Sequence, residues 1–293
     1  MRDRKKRKLR EKQPYPLRAG LLNRRKTDFQ RRVSVLKYFR GLHRLCMRDK
    51  KVSPERTGTY MNSSTITREQ LAGMFDHTNL KAFATEKDFE KLCEEAVSMG
   101  CAMVAINPYP VRMCREFLKG TGVHVGAAIS FPLGQNTIEE KADETLRAIE
   151  DGADEIDYVL NVGKLKEGDL AYIRKEMETI VSVCRKKGVL SKVIFENCYL
   201  TKEEIRAAAE IAKEVGPDYI KTSTGFGTSG ARAEDVRLMK ETVGESVKVK
   251  AAGGIRDWET CAAMIDAGAE RIGTSSSLAI LEGYDRVRGE ASL

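Results

Sequence analysis

Charged side chains set inside apolar strings are the residues of this sequence whose type and placement could do chemistry. Asp76 lies in LAGMFDH, Asp157 in EIDYVLN, Lys221 in YIKTSTG and Lys250 in VKVKAAG, with Glu196 near the end of SKVIFEN. The plain reading of any one of them is a strand-end charge that reaches water or pairs with a neighbour. Lys248 fits that reading: it shares a face with Lys250 by the period of two, but lies nearer the N-terminal end of its run. Lys221, Lys250 and Asp157 together fit it poorly, because a buried ion costs several kcal/mol unless it is paired or used. Two lysines and a carboxylate suit the chemistry of an amine on a carbonyl. The amine must be unprotonated to attack, and lysine starts near pKa ~10.4. A second ammonium about 5 Å away, at an effective dielectric of about 20, opposes the charged form by roughly 3 kcal/mol, or about two pKa units. Desolvation acts in the same direction. The amine is then a nucleophile, and the aspartate can move a proton from a substrate hydroxyl, directly or through water.

The other way to stabilise an aldol carbanion is a zinc ion held by several histidines. The chain has only His43, His77 and His124. His43 falls in an N-terminal segment of different character and His124 at the beginning of a strand, so we expect neither a metal nor any other cofactor. Two further segments have the composition of an anion cradle: Ala251-Ala252-Gly253-Gly254-Ile255 and Gly273-Thr274-Ser275-Ser276. Glycines let backbone N–H groups approach a phosphate, and serine hydroxyls and helix N-termini complete the site.

Eight apolar, β-branched runs must position these groups: 71–77, 101–107, 124–131, 155–161, 191–197, 219–225, 247–253 and 271–277. Helical stretches separate them, among them Thr85–Gly100, Thr137–Gly152, Thr201–Gly216 and Asp257–Gly268. Thr85 with Asp88, and Thr201 with Glu204, have capping-box spacing. In VSMG-C-AMVAI, IEDG-ADEIDYV, KEVG-PDYIKTS and IDAG-AERIGTS a helix ends at glycine and a strand begins within a few residues. Such short links align successive strands in parallel. Near-continuous apolar strands joined by helices require a parallel sheet covered on its faces. Eight βα units point to a (β/α)8 barrel over residues 63–293, with an open doubly wound sheet as the alternative. In a barrel, chemistry collects at the C-terminal ends of the strands.

Residues 1–62 form a basic extension of another kind. The net charge is +8, but residues 1–60 carry 21 Lys/Arg against 5 Asp/Glu, which leaves 30 against 38 in the remainder. The globular part therefore has no nucleic-acid footprint of its own. Spacing from Phe29 to Leu42 predicts a short amphipathic helix around 28–45. An RNA- or membrane-binding arm and a transit peptide are open readings of the extension. We favour a disordered segment that adds nothing to the chemistry, with Met61 as a candidate start. No apolar run is long enough to span a bilayer, and no h-region follows the basic N-terminus. The seven cysteines show no C-x-x-C pair, as for reduced thiols in a cytoplasmic protein.

The strings FDHTNLKAFAT, INPYPV, SFPLGQNT, ADEIDYVLNVG, ENCYLT, YIKTSTGFGT, VKAAGGIRD and RIGTSSS occur in that order between Ile66 and Tyr284. With them the chain resembles the deoxyribose-phosphate aldolases. The resemblance implies reversible cleavage of 2-deoxy-D-ribose 5-phosphate to D-glyceraldehyde 3-phosphate and acetaldehyde. It implies that Lys221 is the Schiff-base lysine, Lys250 the second lysine and Asp157 the proton-relay aspartate. The family's phosphate positions fall on Gly225, Gly253, Gly254, Gly273, Ser275 and Ser276, and we add Asp76, Thr78 and Thr224 as substrate contacts. A small phosphorylated sugar is the expected partner, with assembly as a homo-oligomer, a dimer or a tetramer. Two features depart from the family: Phe226 stands where some members place a phosphate-binding lysine, and the basic extension has no counterpart. The alternatives are another Schiff-base barrel aldolase on a different phosphorylated sugar, and a nucleic-acid-binding factor that uses residues 1–60. Turnover is expected to survive exhaustive chelation; inactivation by a chelator and rescue by zinc would refute the Schiff-base reading.

Overall fold

The computed structural model describes residues 62–290. The extension through Met61, with the helix expected around 28–45, lies outside the described residues. All eight expected strands form: β1 (Phe75–Thr78), β2 (Met103–Ile106), β3 (His124–Ile129), β4 (Glu155–Val159), β5 (Leu190–Ile194), β6 (Tyr219–Lys221), β7 (Lys248–Ala252) and β8 (Arg271–Thr274). They pair in chain order, all parallel, and β8 returns to β1, so the barrel is closed. The helices are α1 (Arg68–Ala72), α2 (Glu86–Met99), α3 (Val111–Phe117), α4 (Ile138–Glu150), α5 (Val162–Lys166), α6 (Leu170–Lys187), α7 (Lys202–Val215), α8 (Ala233–Val243), α9 (Trp258–Asp266) and α10 (Ser277–Glu290).

Local signals account for most of the boundaries. The capping boxes Thr85–Asp88 and Thr201–Glu204 are made, and Thr137 with Glu140 adds a third. The first run differs from its expectation: Leu71 and Ala72 end α1, and β1 starts only at Phe75. The reason is a fourth capping box, in which Thr67 accepts from the Gln70 N–H and Gln70 accepts from the Thr67 N–H. It starts a helix in residues whose apolarity alone reads as strand.

Alternation along each strand divides the molecule into two environments. Residues Val104, Ile156, Val193, Ile220, Val249 and Ile272 are fully buried and have the parity that faces the helices. The opposite parity puts Asp76, Asp157, Lys192, Lys221, Lys250 and Arg271 in the interior, all of them buried. Register then decides who meets whom. Asp157 stands beside Lys192, Lys221 beside Lys250, and Lys250 beside Arg271.

A second buried pair braces the mouth of the barrel. Lys141 of α4 donates to the carbonyls of Gly134 and Val159, each at 2.7 Å, and to Glu176 Oε1 of α6 at 2.6 Å. Glu176 Oε2 accepts from the Asn161 N–H at 3.0 Å. The loops after β3 and β4 are thus tied to one ion pair with no exposed side-chain surface. Lys141→Met should destabilise the protein by about 3–5 kcal/mol, because it strands a buried carboxylate and two carbonyls. Denaturant unfolding checks this, and an unchanged midpoint would mean that the brace carries no stability.

Candidate active site

The barrel interior holds a connected set of ionisable groups centred on Asp157. Asp157 Oδ2 accepts from Lys221 Nζ at 2.8 Å and Lys250 Nζ at 2.6 Å, while Oδ1 accepts from Lys192 Nζ at 2.6 Å. Lys192 also pairs with Glu155 Oε2 at 2.5 Å, and Lys250 pairs with Asp76. Below them Arg271 donates to Asp76 Oδ1 at 2.8 Å and to Glu155 Oε1 at 3.3 Å. Apart from His124, which meets Glu155 Oε1 at 2.8 Å from the solvent-exposed lower rim, this is three carboxylates against four basic side chains. If each group held its ordinary charge, the sealed interior would carry one positive charge too many. An unprotonated Lys221 removes that excess.

The site's electrostatics agree with this arithmetic. Burial pushes the Lys221 amine down; the Asp157 carboxylate pulls it back up, and the neighbouring Lys250 pushes it down again, leaving it at about 8. Burial alone would push the Asp157 carboxyl up, but the Lys192, Lys221 and Lys250 ammonium groups hold it well below the usual carboxylate range. For Lys192 the cost of burial is outweighed by Asp157, Glu155 and Asp76, so this lysine is held above its ordinary value and stays charged. Desolvation, more than the repulsion from Lys250 expected from the sequence, lowers the amine, and Asp157 lies between the two lysines and offsets part of their repulsion. The arrangement can present a reactive amine with a carboxylate 2.8 Å behind it, ready to exchange a proton.

A cavity of about 420 Å³ opens at the C-terminal ends of the strands. Of the three catalytic candidates, only Lys221 lines it; Lys250 has no exposed surface and Asp157 almost none. The expected substrate residues Thr78, Thr224, Gly225, Gly253, Gly254, Gly273 and Ser275 all line this cavity. Ser276 lies one residue further on, and its N–H donates to Thr274 Oγ1 at 2.9 Å. Asp76 was expected as a substrate contact, and here the structure corrects the sequence reading. Its side chain is completely buried beneath the cavity, where it serves Lys250 and Arg271, because it lies one pleat deeper in β1 than Thr78.

Several participants were missed in the sequence. Lys192, Glu155 and Arg271 sit in strings already identified as strands, but a lone charge in a short run gives no sign of its partner across the barrel. Arg256, directly after Gly253-Gly254-Ile255, brings a cation to the cavity. Phe226, which occupies the position of an expected lysine, is exposed and packs edge-to-face on Phe131 at 5.4 Å. Glu196 does not face the reaction. Held at φ 59°, it accepts from the Thr224 N–H at 3.1 Å and from the Thr224 hydroxyl, which fixes the loop after β6. His77 and His124 lie on opposite sides of the barrel wall from each other, each engaged by a carboxylate.

The family model for DeoC/LacD family aldolases matches residues 71–283. The chain belongs to this aldolase family. The deoxyribose-phosphate aldolase of Lactobacillus acidophilus is 57% identical over 216 residues, 74% of this chain and 91% of that protein. That of Bacteroides thetaiotaomicron is 55% identical over 225 residues, 77% of this chain and 94% of that protein. The solved tetrameric deoxyribose phosphate aldolase of Aeropyrum pernix has a TM-score of 0.71 at 30% identity, over 75% of this chain and 93% of that one. The family match runs from before β1 to beyond β8 and so includes the Asp157 cluster and the cavity above it.

Removing Lys250 takes away a charge that lowers the Lys221 pKa. With Lys221 as the attacking amine, its protonation would block the reaction, so the acid limb of kcat/KM should lie near pH 8 and move to higher pH in Lys250→Met. Lys248 is exposed at the far end of β7, with Nζ 5.6 Å from the Tyr219 ring centre. Lys248→Leu should leave the limb in place. Superimposable pH–rate curves for the two variants would show that the wrong lysine has been assigned.

Proposed function

We propose that this aldolase cleaves 2-deoxy-D-ribose 5-phosphate reversibly to D-glyceraldehyde 3-phosphate and acetaldehyde through a Schiff base on Lys221. The observation that carries this reading is the position of Lys221. Its amine is brought to about 8 by burial, touches Asp157 and forms part of the cavity wall that also holds Gly253, Gly254, Gly273 and Ser275. The relatives at 55–57% identity support the substrate.

The sugar aldehyde enters with its phosphate toward the loops after β7 and β8. There the glycines Gly253, Gly254 and Gly273 let the backbone and the Ser275 side chain approach the phosphate, and the Arg256 guanidinium offsets its charge. Lys221 Nζ adds to the C1 carbonyl, and loss of water gives a protonated imine. Removal of the C3 hydroxyl proton breaks the C2–C3 bond: its electron pair moves into the imine, C3 leaves as the aldehyde of glyceraldehyde 3-phosphate, and an enamine remains on Lys221. Protonation of that enamine at C2 and hydrolysis of the resulting imine release acetaldehyde and restore the amine. Asp157 is the proton carrier beside the nitrogen, reaching the C3 hydroxyl through water. Lys250 is too deeply buried to touch substrate; it works by holding Asp157 ionised and opposing protonation of Lys221.

Assembly as a homo-oligomer and a cytoplasmic location belong to the same proposal. The first is supported by the tetrameric relative. For the second, the six cysteines among the described residues are free thiols, five of them buried, and no described helix is long and apolar enough to cross a membrane. Borohydride reduction in the presence of acetaldehyde tests the chemistry directly. It should add one two-carbon group to Lys221, read by peptide mass mapping, and abolish turnover. Labelling of another lysine, or none, would overturn the covalent assignment.

A further inference from the structure

His77 takes no part in the charge cluster, yet it is buried and hydrogen-bonded at both ring nitrogens. It lies between Asp76 and Thr78 on β1 and has the opposite parity, so its ring leaves the barrel interior and enters the layer between the sheet and the helices. There Nδ1 meets Ser277 Oγ at 3.0 Å, and Nε2 meets Glu95 Oε2 of α2 at 3.0 Å. Lys91 approaches the other Glu95 oxygen at 3.6 Å. Ser277 is wholly buried and is the first residue of α10, immediately after the Gly273–Ser276 segment. His77 and Glu95 also line the cavity, as does Ser275.

The hydrogen-bond inventory sets the direction of the chain. An ionised Glu95 can only accept, so Nε2 carries the proton. In the neutral ring Nδ1 then accepts from the Ser277 hydroxyl, and in the imidazolium it donates to it; the chain is satisfied in either state. Ser277 is thereby pinned to β1 and α2. Three residues earlier a second anchor acts, because Thr274 Oγ1 donates to the Ile255 carbonyl at 2.7 Å while accepting from the Ser276 N–H. The cradle after β8 is therefore held from two sides, through Thr274 to the β7 loop and through Ser277 to His77.

We propose that His77 is a positioning residue for anion recognition: through Ser277 it fixes the first turn of α10 at the phosphate end of the cavity, with Glu95 orienting its ring. The inference rests on the phosphate reading of that end of the cavity. It separates recognition from chemistry, since His77 has no contact with Lys221, Asp157 or Lys250. Loosening the first turn of α10 misplaces the backbone N–H groups that face the phosphate and leaves the amine and its carboxylate where they are.

Steady-state kinetics with 2-deoxy-D-ribose 5-phosphate and with unphosphorylated 2-deoxy-D-ribose tests this on the full chain. His77→Leu keeps the bulk and removes both bonds, and Ser277→Ala removes only the hydroxyl. In each, KM for the phosphorylated sugar and the inhibition constant of inorganic phosphate should rise together by about tenfold, the scale of one lost buried hydrogen bond. The loss with the unphosphorylated sugar should be at least about fivefold smaller, and His77→Asn, which keeps a polar group facing Ser277, should recover part of the phosphate effect. Should His77→Leu fold poorly, Ser277→Ala carries the test alone. Equal losses on both sugars, or no loss from Ser277→Ala, would show an ordinary packing contact and overturn the proposal. If the wild type forms the Lys221 adduct with acetaldehyde but does not prefer the phosphorylated sugar, the phosphate reading falls and this inference with it. A wild-type preference that His77→Leu and Ser277→Ala leave intact removes the positioning role alone.

Discussion

One carboxylate, Asp157, is shared by three lysines inside a barrel that keeps water from two of them, and the rest of the site depends on that sharing. Isolated, such a carboxylate would be strongly destabilised by burial. Ringed by Lys192, Lys221 and Lys250 it is held ionised, and it in turn holds Lys192 charged. Lys221 differs from the other two in having a single carboxylate partner where Lys192 and Lys250 each have more than one. Burial is therefore less compensated at Lys221 than at Lys192: the Lys221 amine is pushed down, whereas that of Lys192 is held up. The lowered pKa of Lys221 accompanies this unequal sharing around one carboxylate.

The backbone makes room for this cluster at a definite point. A Cβ on Gly273 would stand 3.1 Å from Lys250 Cε and 2.9 Å from the Ala252 Cβ, so a side chain here in β8 would crowd β7 beside the buried Lys250. The same glycine opens the cradle segment that continues into α10. Gly273 thus packs on the buried Lys250 and also lines the cavity, at the strand end where the barrel interior meets the mouth. Gly253 plays a similar part in the next loop: its φ of 86° is a left-handed conformation, and a Cβ there would meet the Cα of Gly230 at 3.1 Å.

The two faces of each strand divide the labour. Inward parity carries the charges that set the amine; outward parity carries mainly the apolar residues that hold the helices, with His77, Ser191 and Thr274 among its buried polar members. Outside the barrel, buried polar connections such as Lys141–Glu176, Glu196–Thr224 and His77–Ser277 tie the loops at the mouth to the wall. The interior therefore governs protonation, whereas these outer ties govern where the loops stand.

The sequence by itself determined the repeat, and with it the barrel. Eight apolar runs, helix-ending glycines and capping boxes are local signals, each satisfied within a few residues of chain. It also determined Lys221, Lys250 and Asp157 as the unusual charges, because an ion in an apolar strand is anomalous wherever it points. The start of β1 was misread because the Thr67–Gln70 box outweighed the apolarity of Leu71 and Ala72. Only the tertiary structure decided which charges share a partner. Asp76, 195 residues from Arg271 in the chain, is its neighbour across the β8–β1 closure, and so belongs to the floor beneath the cavity instead of to the substrate. Lys192 joins Asp157 by strand register and His77 joins Ser277 across the wall between sheet and helices. Pairings of this kind depend on barrel closure and register, which are properties of all eight strands at once and leave no trace in the residues near any one of them.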